Sequence, residues 1–341
     1  MAMMSHAVFL TEGWVMTSMR LSGSFQILFA AIVTAATLFT EPTFAARSRE
    51  RTIHAGDVAT YGIVGDSGWP SRETANVRRS LLRSRVHRLI MPGDNLYFPL
   101  VTTYEDAWGP WRSQGFEFPI VALGNHVLTY EAEMTYFGMP SEYFTHIEGS
   151  SLFIVLNSDN ESTVEEQARF LRNALEASLS QFVFVVFHHP PVTISRRHDW
   201  REKEHFHNVI RPIVERYRDK VTAIIVGHDH VAGLYELNGI PMIVSGASVE
   251  ALPTGTARLR QGSVKVETRW VYQGKPSWAR MDVVPGQNEV WINFLEIGRE
   301  RVMCSALISS RPSRLRSNCS QRERRRADHA EAKARSITAG R

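Results

Sequence analysis

VTAIIVGHDH, residues 221–230, sets a short apolar run against a polar loop. The run is of strand length, rich in β-branched residues, and closed by a glycine. Two histidines two positions apart then flank an aspartate, just past the end of a buried strand. Such a pair on a loop seldom has a structural reason and suits metal ligation.

The same grammar recurs upstream. Residues 58–64, 88–91, 118–123, 152–156 and 182–187 are further apolar runs. Helical periodicity covers 72–85, 164–177 and about 202–218 between them. Nearly continuous apolar strands are buried on both faces, and their alternation with helices predicts an α/β layered fold. Beyond Ala232 the helices stop. Residues 234–237, 241–244, 264–272, 279–284 and 289–295 read as antiparallel strands. The whole is expected to be two packed mixed β-sheets flanked by helices.

Five polar clusters close five of these strands: GDSG (65–68), GDNLY (93–97), GNH (124–126), VVFHH (185–189) and GHDH (227–230). In open α/β sheets, ligands bind at that edge. Carboxylate, phenol, amide and imidazole together suit iron, zinc or manganese better than calcium or magnesium alone. Taken singly, a Gly-Asp is an ordinary turn and a His-His a packed strand end. Their order and shared placement are what point to a metal site.

The series GD…GDxxY…GNH…VxxH…GHxH, from Gly65 to His230, resembles the calcineurin-like metallophosphoesterases in their purple acid phosphatase variant, of the tartrate-resistant type. The later strands and Ser245-Gly246-Ala247 are similar to that family's second sheet and the turn after its last ligand loop. The resemblance implies the four-layer metallophosphoesterase sandwich over residues 53–300. It implies Asp66, Tyr97 and His230 on a first metal, and Asn125, His188 and His228 on a second. Asp94 would bridge them, holding two cations about 3.5–4 Å apart. Most of the family begins Asp-x-His; here Gly68 stands in the histidine's place and Tyr97 supplies a phenolate instead. That substitution implies Fe(III) at the Tyr97 site and Fe(II), Zn or Mn at the other. A histidine restored at position 68 is expected to favour a colourless divalent pair.

His126 follows a ligand and is expected to face the leaving-group oxygen as a proton donor. Val127 stands where the family often has an acid. His198 is either a second substrate histidine or a solvated loop residue, and Arg196 and Arg197 either meet phosphate oxygens or are surface. Segments 98–116 and 129–150, with Trp108, Trp111, Tyr130, Tyr136 and Tyr143, are the expected walls of the site.

At the N-terminus, Arg20 precedes a 15-residue apolar core, FQILFAAIVTAATLF (25–39), followed by Thr43 and Ala45 at cleavage-site spacing. This reads as a signal peptide over residues 1–45, too short for a confident membrane span. The mature chain, secreted or periplasmic, then starts near Ala46 and keeps no stable span. The formal net charge of +4 is concentrated at the other end. Residues 311–341 carry 10 Lys/Arg against 3 Asp/Glu, leaving 29 basic and 32 acidic groups elsewhere, a net −3. This basic tail reads as disordered, and the pattern argues against a specific nucleic-acid surface. Cys304 and Cys319 either pair in an oxidising compartment or remain free thiols. The function expected is hydrolysis of a small phosphate monoester by water activated on a metal pair. Phosphodiesters or nucleotides on the same site, and anionic-polymer binding through the tail, are the alternatives.

Overall fold

The computed structural model describes residues 52–193, 195, 197–248, 265–272, 275–298, 300–309 and 313–319. The signal region, Arg196 and the end of the tail lie outside these residues.

Two seven-stranded mixed sheets make the fold, as expected. In the first, β1 (Ala59–Ile63), β2 (Arg88–Pro92) and β3 (Glu117–Ala122) run parallel. In the second, β4 (Phe144–Glu148) is an antiparallel edge beside β5 (Ser151–Val155), and β5, β6 (Phe182–Val186) and β7 (Ala223–Val226) are parallel. β9 (Ile240–Ser245) continues that parallel set beyond β7. β8 (Ala232–Leu237) and β10 (Val266–Tyr272) complete the sheet antiparallel. The first sheet is completed antiparallel beside β1 by β11 (Ser277–Val284), β12 (Glu289–Glu296), β13 (Arg301–Ser309) and β14 (Arg314–Ser317).

Side-chain alternation along β6 shows why these strands read as continuous apolar runs. Phe182, Phe184 and Val186 enter the core between the sheets, where they join Tyr61, Ile63, Ile90 and Phe153. Val183 and Val185 face the other way. There they meet the apolar stripes of α4 (Val164–Ala177) and α5 (Glu204–Arg216). Both faces are therefore buried, so neither carries polar residues.

The first sheet is covered by α1 (Arg72–Arg83) and α2 (Tyr104–Arg112). Ser71 and Thr74 cap α1 reciprocally, each hydroxyl taking the other's backbone N–H at 3.1 and 3.0 Å. Its Leu81 packs on Gly62 so closely that a Cβ there would lie 2.5 Å from Leu81 Cδ2. Helix α2 carries Trp108 and Trp111, both fully buried, against the same sheet. Each contributes roughly 2–3 kcal/mol of apolar burial. These two indoles are core, not walls of the site: their spacing of three places both on the buried face of a helix that the loop reading overlooked. Tyr143 likewise packs edge-on to Phe170, and Tyr136 stacks on Tyr104.

Helix α3 (Tyr130–Phe137) sends one carboxylate inward. Glu133 is fully buried; it accepts from Asn95 Nδ2 at 2.8 Å and Tyr104 Oη at 2.9 Å, tying α3 to α2 and to the loop after β2. Burial pushes its carboxyl up to about 7, against the pull of those two donors.

The expected domain end at residue 300 is corrected by β13 and β14, which extend the first sheet to Ser317. Met303, Cys304, Ala306 and Ile308 are buried in the inter-sheet core, and Cys304 is disulfide-bonded to Cys319. The tail that reads as disordered from 311 thus contains a strand, β14. Alternation of small and apolar residues in MCSALIS (303–309) carried that signal, and the arginines around it obscured it.

Two outcomes follow from this packing. A chain stopped at residue 300 should be insoluble or unfolded, whereas one stopped at 319 should melt like the full chain; soluble yield and thermal melts compare them. Glu133→Gln should remove a pH slope. The folded-state pKa of about 7 lies above the reference value of 4.5, so the wild-type fold loses stability as pH rises through that window. The loss is on the order of 3 kcal/mol. Melts across pH 4–8 should show the variant equal at the acid end and more stable at the alkaline end.

Candidate metal centre

The parallel strands of both sheets deliver their C-terminal ends to one place. Asp66 follows β1, Asp94 and Tyr97 follow β2, and Asn125 and His126 follow β3. His188 follows β6, and His228 and His230 follow β7. The two edges are joined there by backbone: Gly65 N–H donates to Ser245 O at 2.8 Å, and Ser245 Oγ donates to Ile63 O at 2.9 Å.

All seven residues expected as metal ligands meet in this cleft. Tyr97 Oη lies 2.9 Å from His230 Nε2, 3.0 Å from Asp94 Oδ2 and 3.3 Å from Asp66 Oδ1. His230 Nε2 is 3.3 Å from Asp66 Oδ1. On the other side, His188 Nε2 is 3.2 Å from Asp94 Oδ1, 3.1 Å from Asn125 Oδ1 and 3.2 Å from His228 Nδ1. Asp94 thus turns one oxygen to each set.

Backbone geometry aims these groups. Asp66, Asp94, His228 and His230 all have φ between +48° and +66°, the left-handed region that non-glycine residues seldom occupy outside functional turns. The carboxylates are fixed from behind: His228 N–H donates to Asp66 Oδ2 at 2.9 Å, and His126 N–H to Asp94 Oδ1 at 3.0 Å. Gly124 leaves room for this, since a Cβ there would lie 2.2 Å from Asp94 Oδ1.

The electrostatics call for positive charge. Asp66 and Asp94 are buried. Burial opposes a charge on His188, yet Asp94 and Asp66 outweigh it and hold the imidazole up to about 9. Burial and the same two carboxylates push the Tyr97 phenol well above its usual range. His188 Nδ1 sits 2.8 Å from Pro92 O; donating there fixes the tautomer that turns the Nε2 lone pair into the cleft. Converging buried carboxylate, phenol and imidazole donors, with the more exposed Asn125 amide beside them, fit a pair of cations, which would replace the proton on His188 and favour the phenolate.

His126 is half exposed, its Nε2 4.0 Å from Asp94 Oδ2 and its ring 4.6 Å from that of Tyr97. His198 does reach the site: its ring centroid is 3.9 Å from that of His228. Arg197 is exposed.

Two further residues, not among the expected ligands, stand beside them. Glu202 Oε2 lies 3.1 Å from His228 Nε2, an outer carboxylate of the kind that orients a ligating histidine. Its other oxygen accepts from Asp199 N–H at 2.7 Å, so the sequence shows it as a helix cap. His189 packs its ring 4.4 Å from His228, with Nδ1 2.9 Å from Ser158 Oγ. Burial first, then the neighbouring histidines, hold it neutral.

Gly68 overturns one expectation. Tyr97 N–H donates to Gly68 O at 2.9 Å, and Gly68 N–H to Asp94 O at 3.1 Å. A Cβ on residue 68 would lie 2.1 Å from Leu96 N and 2.2 Å from the Asn95 carbonyl carbon. The missing histidine cannot be restored, because the loop that brings Tyr97 in occupies its space.

No protein-family model matches the sequence, and no curated protein does. Solved structures do match in fold. A structure described as GAP50, the anchor in the inner membrane complex of Plasmodium, aligns with TM-score 0.58 at 15% identity, over 73% of this chain and 87% of that one. The purple acid phosphatase PPD1 from yellow lupin (Lupinus luteus) seeds aligns with TM-score 0.59 at 14% identity, over 75% and 55%; this chain spans about half of its length. PhoD aligns with TM-score 0.55 at 12% identity, over 85% and 79%. The two mixed seven-stranded sheets with helices outside are a fold that this chain shares with these structures, a purple acid phosphatase among them.

Proposed function

We propose that the chain is a two-metal phosphoester hydrolase that acts on phosphate monoesters at acid pH, outside the cytoplasm. The observation that carries this is Asp94, buried between two donor sets with Oδ2 3.0 Å from Tyr97 Oη and Oδ1 3.2 Å from His188 Nε2. Asp66, Tyr97 and His230 hold one cation, an Fe(III) matched to the phenolate. Asn125, His188 and His228 hold the other: Fe(II), Zn or Mn. Such a pair polarises a phosphoryl oxygen and acidifies water.

The chain's own residues do the rest. His126, anchored through its backbone to Asp94 and open to solvent, gives a proton to the leaving oxygen. His198, against His228, reaches the substrate from the second sheet's side. Glu202 keeps His228 oriented. The Cys304–Cys319 disulfide and the apolar core of residues 25–39 support export. Among the described residues, no helix is long and apolar enough to cross a membrane.

Turnover of nitrophenyl phosphate against the bis(nitrophenyl) diester tests the monoester preference. Asp94→Asn should lower turnover by more than about a hundredfold, beyond the loss of an outer hydrogen-bond partner, with metal content below two per chain. Full occupancy at a near-normal rate would remove the bridging role. Iron-loaded wild type should show a broad visible band that Tyr97→Phe abolishes without changing the circular dichroism; a band unchanged in that variant makes Tyr97 a packing residue. Gly68→His should lose the band through displacement of the 94–97 loop, with a lowered melting temperature and less bound metal. A stable colourless enzyme with two divalent ions would contradict the packing argument.

A further inference from the structure

Ten large apolar side chains are exposed among the described residues, and five of them lie on the three loops that carry Asp66, Tyr97 and Asn125. Trp69 follows Gly68 and is 44% exposed; Phe98 follows Tyr97 and is 53% exposed. Their rings meet edge to face with centroids 5.1 Å apart. The Tyr97 N–H to Gly68 O bond at 2.9 Å fixes the two loops together just behind this pair. Leu100 and Val101, 91% and 84% exposed, continue the patch in the turn where Val101 N–H donates to Phe98 O at 2.9 Å. Leu128, 56% exposed, stands two residues after His126, whose ring lies on Tyr97.

Core packing does not explain this pair. Phe98 has φ +54°, a conformation that is an outlier for a bulky aromatic residue and costs on the order of 1–3 kcal/mol. That strain is spent on a side chain half open to water. Single exposed apolar residues are common, but five gathered on three loops that also carry a polar donor cluster mark a binding surface. The opposite side of the cleft is polar, with His198 and Glu202 3.7 Å apart. The exposed apolar residues thus come from the first sheet's loops, whereas the loops after the second sheet's strands bring His198 and Glu202.

We propose that Trp69 and Phe98, continued by Leu100, Val101 and Leu128, form a subsite for the hydrocarbon part, aryl or alkyl, of a phosphate ester whose phosphoryl group sits in the metal cleft. The occupant is set by continuity: the aromatic pair begins one residue beyond Gly68 and Tyr97, and Leu128 stands two residues beyond His126, whose ring packs on Tyr97. The inference rests on the phosphoester reading and selects a substrate class for it. Esters of apolar alcohols are favoured over sugar or glycerol phosphates.

Binding of methyl-, phenyl- and octylphosphonate to the metal-loaded full chain, measured by calorimetry, decides the matter apart from turnover. Wild type should bind phenyl- or octylphosphonate about tenfold more tightly than methylphosphonate, and which of the two wins separates an aryl from an alkyl source. Trp69→Ala/Phe98→Ala should lose that preference. Both side chains are half exposed, so the variant should melt as wild type does. In turnover, the ratio of kcat/KM for naphthyl phosphate to that for glycerol phosphate should fall about tenfold, mostly through KM. Absence of any preference in wild type, its survival in the double variant, or equal loss on all three phosphonates would overturn the subsite. So would a variant that keeps the preference but no longer binds phosphatidylcholine vesicles, which would make the patch a membrane-facing surface. If no ester is turned over while the phosphonate preference is present and lost in the variant, the subsite stands and the hydrolase reading falls.

Discussion

Two buried carboxylates, Asp66 and Asp94, both within reach of one phenol, set the terms for everything around them. An uncompensated buried carboxylate costs several kcal/mol, and this site holds a pair. Backbone N–H groups of His126 and His228, the imidazoles of His188 and His230, and four left-handed residues all serve to hold that charge in place. Because one carboxylate set belongs to the first sheet and the facing imidazoles to the second, a cation bound between them also clamps the sandwich. Folding stability is then linked to free metal concentration.

Fold and function separate here. The same architecture occurs in a protein described as an anchor and in an acid phosphatase, so the architecture alone assigns no activity. The donor set, with Asp94 between its two halves, is what supports hydrolysis. The apolar residues on the first sheet's loops bear on a further question, what would be attached to the phosphate rather than what happens to it.

Much of this was legible in the sequence because buried parallel strands cannot hide: runs such as FVFVV and AIIV have no polar face, and each ends where its loop turns polar. The cluster of candidate donors was legible for the same reason, since each of its residues sits within a few positions of a strand end. What was missed obeys other physics. Trp108 and Trp111 lie in a short helix whose Gly and Pro argue against a helix, so they read as loop aromatics. Glu202 is disguised as a cap. The last two strands are masked by arginines that a sheet edge tolerates well. The obstacle at Gly68 is a contact between backbones, which no pattern of side chains reveals.

The disulfide between β13 and the residue just past β14 has a bearing on how the protein is made. It closes a 15-residue loop, a constraint of about 3 kcal/mol on the unfolded chain, and it pins the outermost strand of the first sheet. In a reducing cytosol that pin is absent. Fraying of Arg314–Ser317 then bares the hydrogen-bonding edge of β13, a nine-residue strand with an apolar inner face, which is a template for pairing between chains. Synthesis without oxidation therefore carries an aggregation hazard located at the end of the chain farthest in sequence from the metal ligands.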